Sequence, residues 1–97
     1  MRETWWLYLL ECRGGGIYVG IAQDVEARFR RHAVGRGALY TRINPPLRVL
    51  ACRDFPDRRS AARAEAAMKR LQPAEKWRLA RVLAAGLPLT QDELPQP

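Results

Sequence analysis

The chain opens on an apolar block, Trp5-Trp6-Leu7-Tyr8-Leu9-Leu10, that is too short for a helix of its own and rich in aromatics. A run that is apolar at odd and even positions alike predicts a strand covered on both faces, central in a sheet. Arg13-Gly14-Gly15-Gly16 supplies a turn, and the β-branched and aromatic Ile17-Tyr18-Val19-Gly20-Ile21 returns as a hairpin partner. Asp24 caps a predicted helix from Val25 to about His32, with Val25, Phe29 and Ala33 as its inner stripe, and Gly35 and Gly37 end it. The stretch from Arg36 to Pro46 reads as a loop, and Leu47 to Cys52 as a third strand. Ser60 is the expected cap of an alanine-rich helix reaching Leu71, whose Ala61, Ala64, Met68 and Leu71 share a face. Pro73 suits the first turn of a last helix, which runs to about Ala85 before Gly86 and Pro88 stop it. The order is ββαβαα, an α+β arrangement of helices on a small three-stranded antiparallel sheet. Residues 1–88 form one predicted domain and residues 89–97 a frayed tail.

Composition narrows the function classes. Ninety-seven residues, 47% of them apolar, suffice for one core and not for two. Six consecutive apolar residues fall far short of the roughly 20 a membrane span requires. They run straight into Glu11, Cys12 and Arg13 rather than into a small-residue cleavage site, so the expected location is the cytoplasm. Two cysteines and one histidine cannot fill a structural zinc site. Cys12 and Cys52 could meet on neighbouring strands, but two reduced, packed thiols are expected in a chain without export signals.

Charge is unevenly spread. Residues 1 to 81 hold all seventeen cations, fifteen of them Arg, and eight of the ten acids, a net +9. A basic body with a pI of about 10.4 is what a phosphate-backbone binder would carry. The same arginines would equally serve to solvate helix faces, so site chemistry has to decide.

That chemistry lies in an ordered set: Tyr8 on the first strand, Tyr18-Val19-Gly20 on the second, Arg28 and His32 on the first helix, Gly35-Arg36-Gly37-Ala38-Leu39-Tyr40-Thr41-Arg42 after it, and Glu65 on the alanine-rich helix. Over roughly residues 4 to 80 the set resembles the signature of the GIY-YIG nucleases. It is most similar to the small single-domain bacterial members, a group that also resembles the nuclease subunit of structure-specific endonucleases. The literal string Gly16-Ile17-Tyr18 lies across the second family motif; the first falls on Trp6-Leu7-Tyr8, where Trp6 replaces the family's glycine and Leu7 its isoleucine.

The resemblance implies a metal-dependent endonuclease that hydrolyses DNA phosphodiester bonds without a covalent enzyme intermediate. It points towards structured or branched DNA in repair or recombination. The residues themselves choose neither DNA over RNA nor a substrate shape. Phosphodiester hydrolysis needs a base for water, a cation on the non-bridging oxygens, and help for the leaving oxygen. By resemblance Tyr8 is the base, made acidic by Arg28 and a metal close by, and Tyr18 supports it by a hydrogen bond. Arg28 and His32 stand four apart, hence on one side of their helix; Arg28 would stabilise charge on the phosphate and His32 would hold the site or move a proton. A histidine at a helix end also commonly engages the last carbonyls.

Glu65 is the single acid between Asp57 and Glu75, and it is the expected ligand for Mg²⁺ or Mn²⁺. The competing role for it is an ion pair with Arg63 or Lys69. Arg31, Arg36, Tyr40, Thr41 and Arg42 are the expected nucleic-acid contacts, against the plainer reading of a surface loop. Gly20 is expected to permit a close backbone approach. Hairpin parity adds a geometric expectation: Tyr8 and Tyr18 share a face, within reach of Arg28, only if paired residue numbers sum to an even value, which needs an odd-length loop such as Arg13 to Gly15 or a bulge, whereas a four-residue loop with regular flanks would separate them. A fold-keeping DNA-binding module, and a subunit that needs a protein partner held through Trp5, Trp77 and the acidic tail, are the alternatives.

Overall fold

A computed structural model describes residues 3–86. The two strands of the hairpin are β1 (Trp5–Cys12) and β2 (Ile17–Ala22), followed by α1 (Val25–Ala33), α2 (Leu39–Ile43), β3 (Pro46–Phe55), α3 (Arg58–Lys69) and α4 (Pro73–Ala84). The sheet is antiparallel in the order β2-β1-β3, so the apolar first strand takes the centre, as its two-sided pattern requires. Tyr8 pairs with Gly20 and Leu10 with Tyr18, an even register that puts both tyrosines on one face. Gly14 and Gly15 make the turn at φ of 88° and 87°, a region side chains avoid, and Cys12 N–H closes it on the Gly16 carbonyl at 2.9 Å.

Alternation along β1 splits the interior in two. Leu7 and Leu9 join Val19, Met68 and Leu79 beneath α3 and α4, while Tyr8, Leu10 and Cys12 face α1 with Val25 and Phe29. Each fully buried leucine contributes on the order of 2 kcal/mol. A bulge between Leu9 and Leu10 lets Leu50 slip out of the β1–β3 register.

Several boundaries differ from expectation. The loop between Arg36 and Pro46 contains α2, a helix of five residues, too short to leave a period in the sequence and without a side-chain cap. β3 runs to Phe55 rather than Cys52, paired with β1 along its length. Asp57, not Ser60, caps α3: its carboxylate accepts the Ser60 N–H at 2.8 Å and the Ser60 hydroxyl at 2.9 Å. An ionised acceptor three residues upstream outcompetes a hydroxyl for the exposed N–H groups, and those bonds hold the Asp57 carboxyl below its ordinary range. On α1 the inner stripe is Val25, Phe29 and His32; Ala33 is exposed, because the helix ends there and Gly35 at φ 78° turns the chain away. Both cysteines are free thiols, but only Cys12 is packed. Cys52 stands exposed opposite Tyr8 while Cys12 lies opposite Pro46, so the two never meet. The tail expected to fray, residues 89–97, and the Pro88 stop lie outside the described residues. Among the described residues no helix is long and apolar enough to cross a membrane.

Candidate active site

β1 and β2 carry their tyrosines to the face that α1 covers, and α1 and α3 bring the charges. Tyr8, Tyr18, Arg28 and Glu65 line one cleft of about 250 Å³, together with Trp5 and Arg58. The Tyr8 ring lies across Gly20, where a Cβ would collide with its hydroxyl and ring, which is the close approach expected of that glycine. Gly16 seats the Tyr40 hydroxyl and Gly37 the His32 ring in the same way. Trp6, where the family has glycine, stands half-buried opposite Ala22 and Asp54 on the Tyr8 face.

His32 is almost wholly buried, at 2% exposure, and it does not cap its own helix: the Val34 N–H serves the Arg30 carbonyl and the Gly35 N–H the His32 carbonyl, each at 3.1 Å. The imidazole Nε2 is 3.0 Å from the Tyr8 hydroxyl and Nδ1 is 2.7 Å from the Thr41 hydroxyl, which in turn donates to the Ala38 carbonyl at 2.9 Å. Burial first, then the Arg28 and Arg31 charges, lower the His32 pKa from its ordinary 6.5, so the ring is neutral at neutral pH.

Tyr8 departs from the expected role in one respect. Burial lifts its hydroxyl above the ordinary 10; Tyr18 and Glu65 push it further, and Arg28 pulls back without prevailing. Cationic neighbours alone therefore do not make Tyr8 a phenolate, since desolvation of the charged form outweighs them. The hydroxyl instead has an acceptor in His32. Tyr18 does not hydrogen-bond to Tyr8 either. Its pair Leu10 lies two residues from Tyr8, so the rings meet diagonally, with centroids 6.3 Å apart and planes tilted by 40°. Tyr18 packs on His32 at 4.9 Å and stacks with Tyr40 at 6.2 Å, forming a four-ring cluster with Tyr8.

Glu65 satisfies both readings of its role, for it faces the cleft and also pairs with Lys69 at 3.3 Å, while Lys69 sits over the Tyr18 ring. Arg63 takes no part in that pair. Among the described residues no three His, Cys, Asp or Glu converge as a ready metal cage. A single carboxylate beside phenol oxygens in an open cleft nonetheless fits a hard divalent cation, which keeps its waters and takes further oxygens from a substrate phosphate.

Of the expected nucleic-acid contacts, Arg31 and Arg36 are exposed and line a second cleft of about 390 Å³ that shares Tyr18 and Arg28 with the first. Tyr40 is 40% exposed and Arg42 is exposed on α2. Thr41 is not a contact: at 1% exposure, with its hydroxyl spent on His32 and Ala38, it has nothing to offer a ligand. Trp77 also points inward, donating its indole N–H to the Gly15 carbonyl at 3.1 Å, so it is not the free docking residue expected. Arg58, whose guanidinium lies over the Trp5 ring, is a cleft residue that reading the sequence passes over, because it is one of many arginines and only the fold selects it.

This arrangement of two strand tyrosines, a helical arginine and histidine and a later glutamate defines a catalytic domain of the GIY-YIG nuclease class. The GIY-YIG catalytic-domain model matches residues 4–78, and the chain belongs to that family. Its relatives are the small bacterial UPF0213 proteins. The protein from Xanthomonas axonopodis pv. citri (strain 306) is 57% identical over 74 residues, 76% of this chain and 72% of that one. That from Cupriavidus pinatubonensis is 54% identical over 76 residues, 78% and 84% of the two chains. Among solved structures the solution NMR structure of a Bacillus halodurans UPF0213 protein is similar, with a TM-score of 0.53 and 38% identity over 81% of this chain and 84% of that one.

Proposed function

We propose that the protein is a metal-dependent endonuclease that hydrolyses DNA phosphodiester bonds, with Tyr8, Tyr18, Arg28, His32 and Glu65 as its working residues. The observation that carries the reading is the shared cleft: the Tyr8 hydroxyl, the Arg28 guanidinium and the Glu65 carboxylate line one opening, with a neutral histidine behind the hydroxyl. Glu65 would hold Mg²⁺ or Mn²⁺, which when bound supplies Lewis-acid stabilisation of phosphoryl oxygens.

The chain's own groups supply the rest. Tyr8 passes its proton to Nε2 of His32 and takes one from the attacking water; the water oxygen forms the new bond to phosphorus, the opposite P–O bond breaks, and the proton held on His32 is returned through solvent to the departing oxygen. Arg28 offers a planar fork of donors to the charge that gathers on the non-bridging oxygens. Tyr18 holds the His32 ring by packing. Arg31 and Arg36, in the adjoining cleft, would take flanking phosphates, and Tyr40 with Arg42 would meet bases and backbone at the rim. The test is cleavage of labelled linear, branched and single-stranded DNA with either metal, beside folded Glu65→Ala and Arg28→Ala proteins. Cleavage that needs metal and vanishes in both variants supports the reading, and undiminished cleavage in the variants overturns it.

A further inference from the structure

With a neutral ring, the three hydrogen bonds behind Tyr8 can all be made in only one direction. A carbonyl oxygen can only accept, so the Thr41 hydroxyl must give its single proton to Ala38, at 2.9 Å. It then has no proton left for His32, and the 2.7 Å contact requires Nδ1 to be the donor. A neutral imidazole with its proton on Nδ1 has a free lone pair on Nε2, and the Tyr8 hydroxyl, 3.0 Å away, donates into it. Tyr8, His32 and Thr41 are exposed by only 1%, 2% and 1%, so these bonds are made largely out of solvent. The anchor is itself fixed: the Ala38 carbonyl also takes the Arg42 N–H at 3.1 Å, the first bond of α2. Gly37 presses its backbone against the ring, leaving no room for a Cβ there.

We infer that Thr41 is a positioning residue, whose hydroxyl holds the His32 imidazole in its Nδ1–H form and thereby keeps Nε2 open to the Tyr8 proton. This inference rests on the proposed cleavage reaction for its use, but not for its existence. With the other tautomer Nε2 would carry a hydrogen towards Tyr8, and the tyrosine could not unload its own. It also gives the short helix α2 a purpose, since one turn suffices to bring a hydroxyl from residue 41 to a ring on residue 32.

His32 is the chain's only histidine, so ¹⁵N-labelled imidazole gives two unambiguous nitrogen signals in the full-length protein. The wild type and Thr41→Ser are expected to show a protonated Nδ1 and a pyridine-like Nε2, and Thr41→Val a reversed or mixed pattern. In cleavage assays Thr41→Val is expected to lose kcat by about 10–100-fold, the usual cost of removing a group that orients a functional histidine, with KM held and Thr41→Ser close to wild type. A protonated Nε2 in the wild type, or an unchanged nitrogen pattern in Thr41→Val, overturns the inference. The first of these needs no variant to fold. Neither needs cleavage, so a wild type that binds but does not cut DNA overturns the proposed function and leaves the nitrogen result to stand by itself.

Discussion

Successive residues of β1 do different work. Leu7 and Leu9 are wholly buried under α3 and α4 among aliphatic side chains, where any well-fitting hydrophobe would serve. Tyr8, between them, is equally buried on the other face, yet its neighbours are an imidazole, a second phenol and an open cleft. One face is held by area alone, and the other adds directed bonds to a smaller apolar cluster. The rigid face lets the polar one be exact in geometry without being large, because the strand that carries Tyr8 is fixed from behind.

The contrast can be broken from either side. The largest effect is expected on the polar face: Arg28→Ala or Glu65→Ala should lower cleavage by about 10²–10³-fold, the range for removing one preorganised charge-stabilising group, with melting temperature nearly unchanged. Leu9→Ala should do the reverse. It opens a cavity on the apolar face and costs about 2–5 kcal/mol in urea unfolding, while protein that remains folded still cleaves. Gly20→Ala probes the seam between the two, since its Cβ meets the Tyr8 ring. It should cost about 1–3 kcal/mol and lower kcat as well, because the ring it displaces carries the hydroxyl.

A smaller effect separates the faces by pH. The folded-state pKa of His32 is depressed below 6.5, so under acid conditions the unfolded chain binds a proton that the folded one resists. Its contribution to stability is complete above pH 6.5 and is lost as pH falls through the folded value. Thermal melts from pH 7.5 to 5 should therefore show a declining midpoint that flattens in His32→Gln, and a profile unaffected by that change would contradict a buried neutral ring. The smallest effect is expected where neither face is touched. Arg48→Ala removes the 2.6 Å bond that joins β3 to Glu11 of β1 at the surface, and should shift urea unfolding by at most about 1 kcal/mol.

Much of this was legible in the residues. The two-sided apolar run placed β1 centrally, and parity tied a shared face for Tyr8 and Tyr18 to an even register, which the hairpin has, with both lining a common cleft with Arg28. Local signals failed where the deciding partner was remote. Thr41 looks like a loop contact until α2 folds back and buries it, and a helix of five residues is too short to announce itself by periodicity. The burial that raises the Tyr8 hydroxyl against the pull of Arg28 could not be read in advance, because charges are visible in a sequence and desolvation is not. Trp77 read as a spare aromatic, whereas its indole closes on a turn 62 residues away.

The place of β1 in the sheet also bears on how the protein is made. Of the three strands it leaves the ribosome before both of its neighbours, and β2 closes one edge at once while the other waits for Pro46–Phe55. At about 5–20 residues per second that wait lasts on the order of seconds. For that time a nascent chain presents an apolar strand with a row of unpaired backbone groups, open to pairing with its neighbour on the same polysome. Glu65 and its helix arrive later still, so the hairpin that carries both tyrosines is built well before the cleft they line is complete.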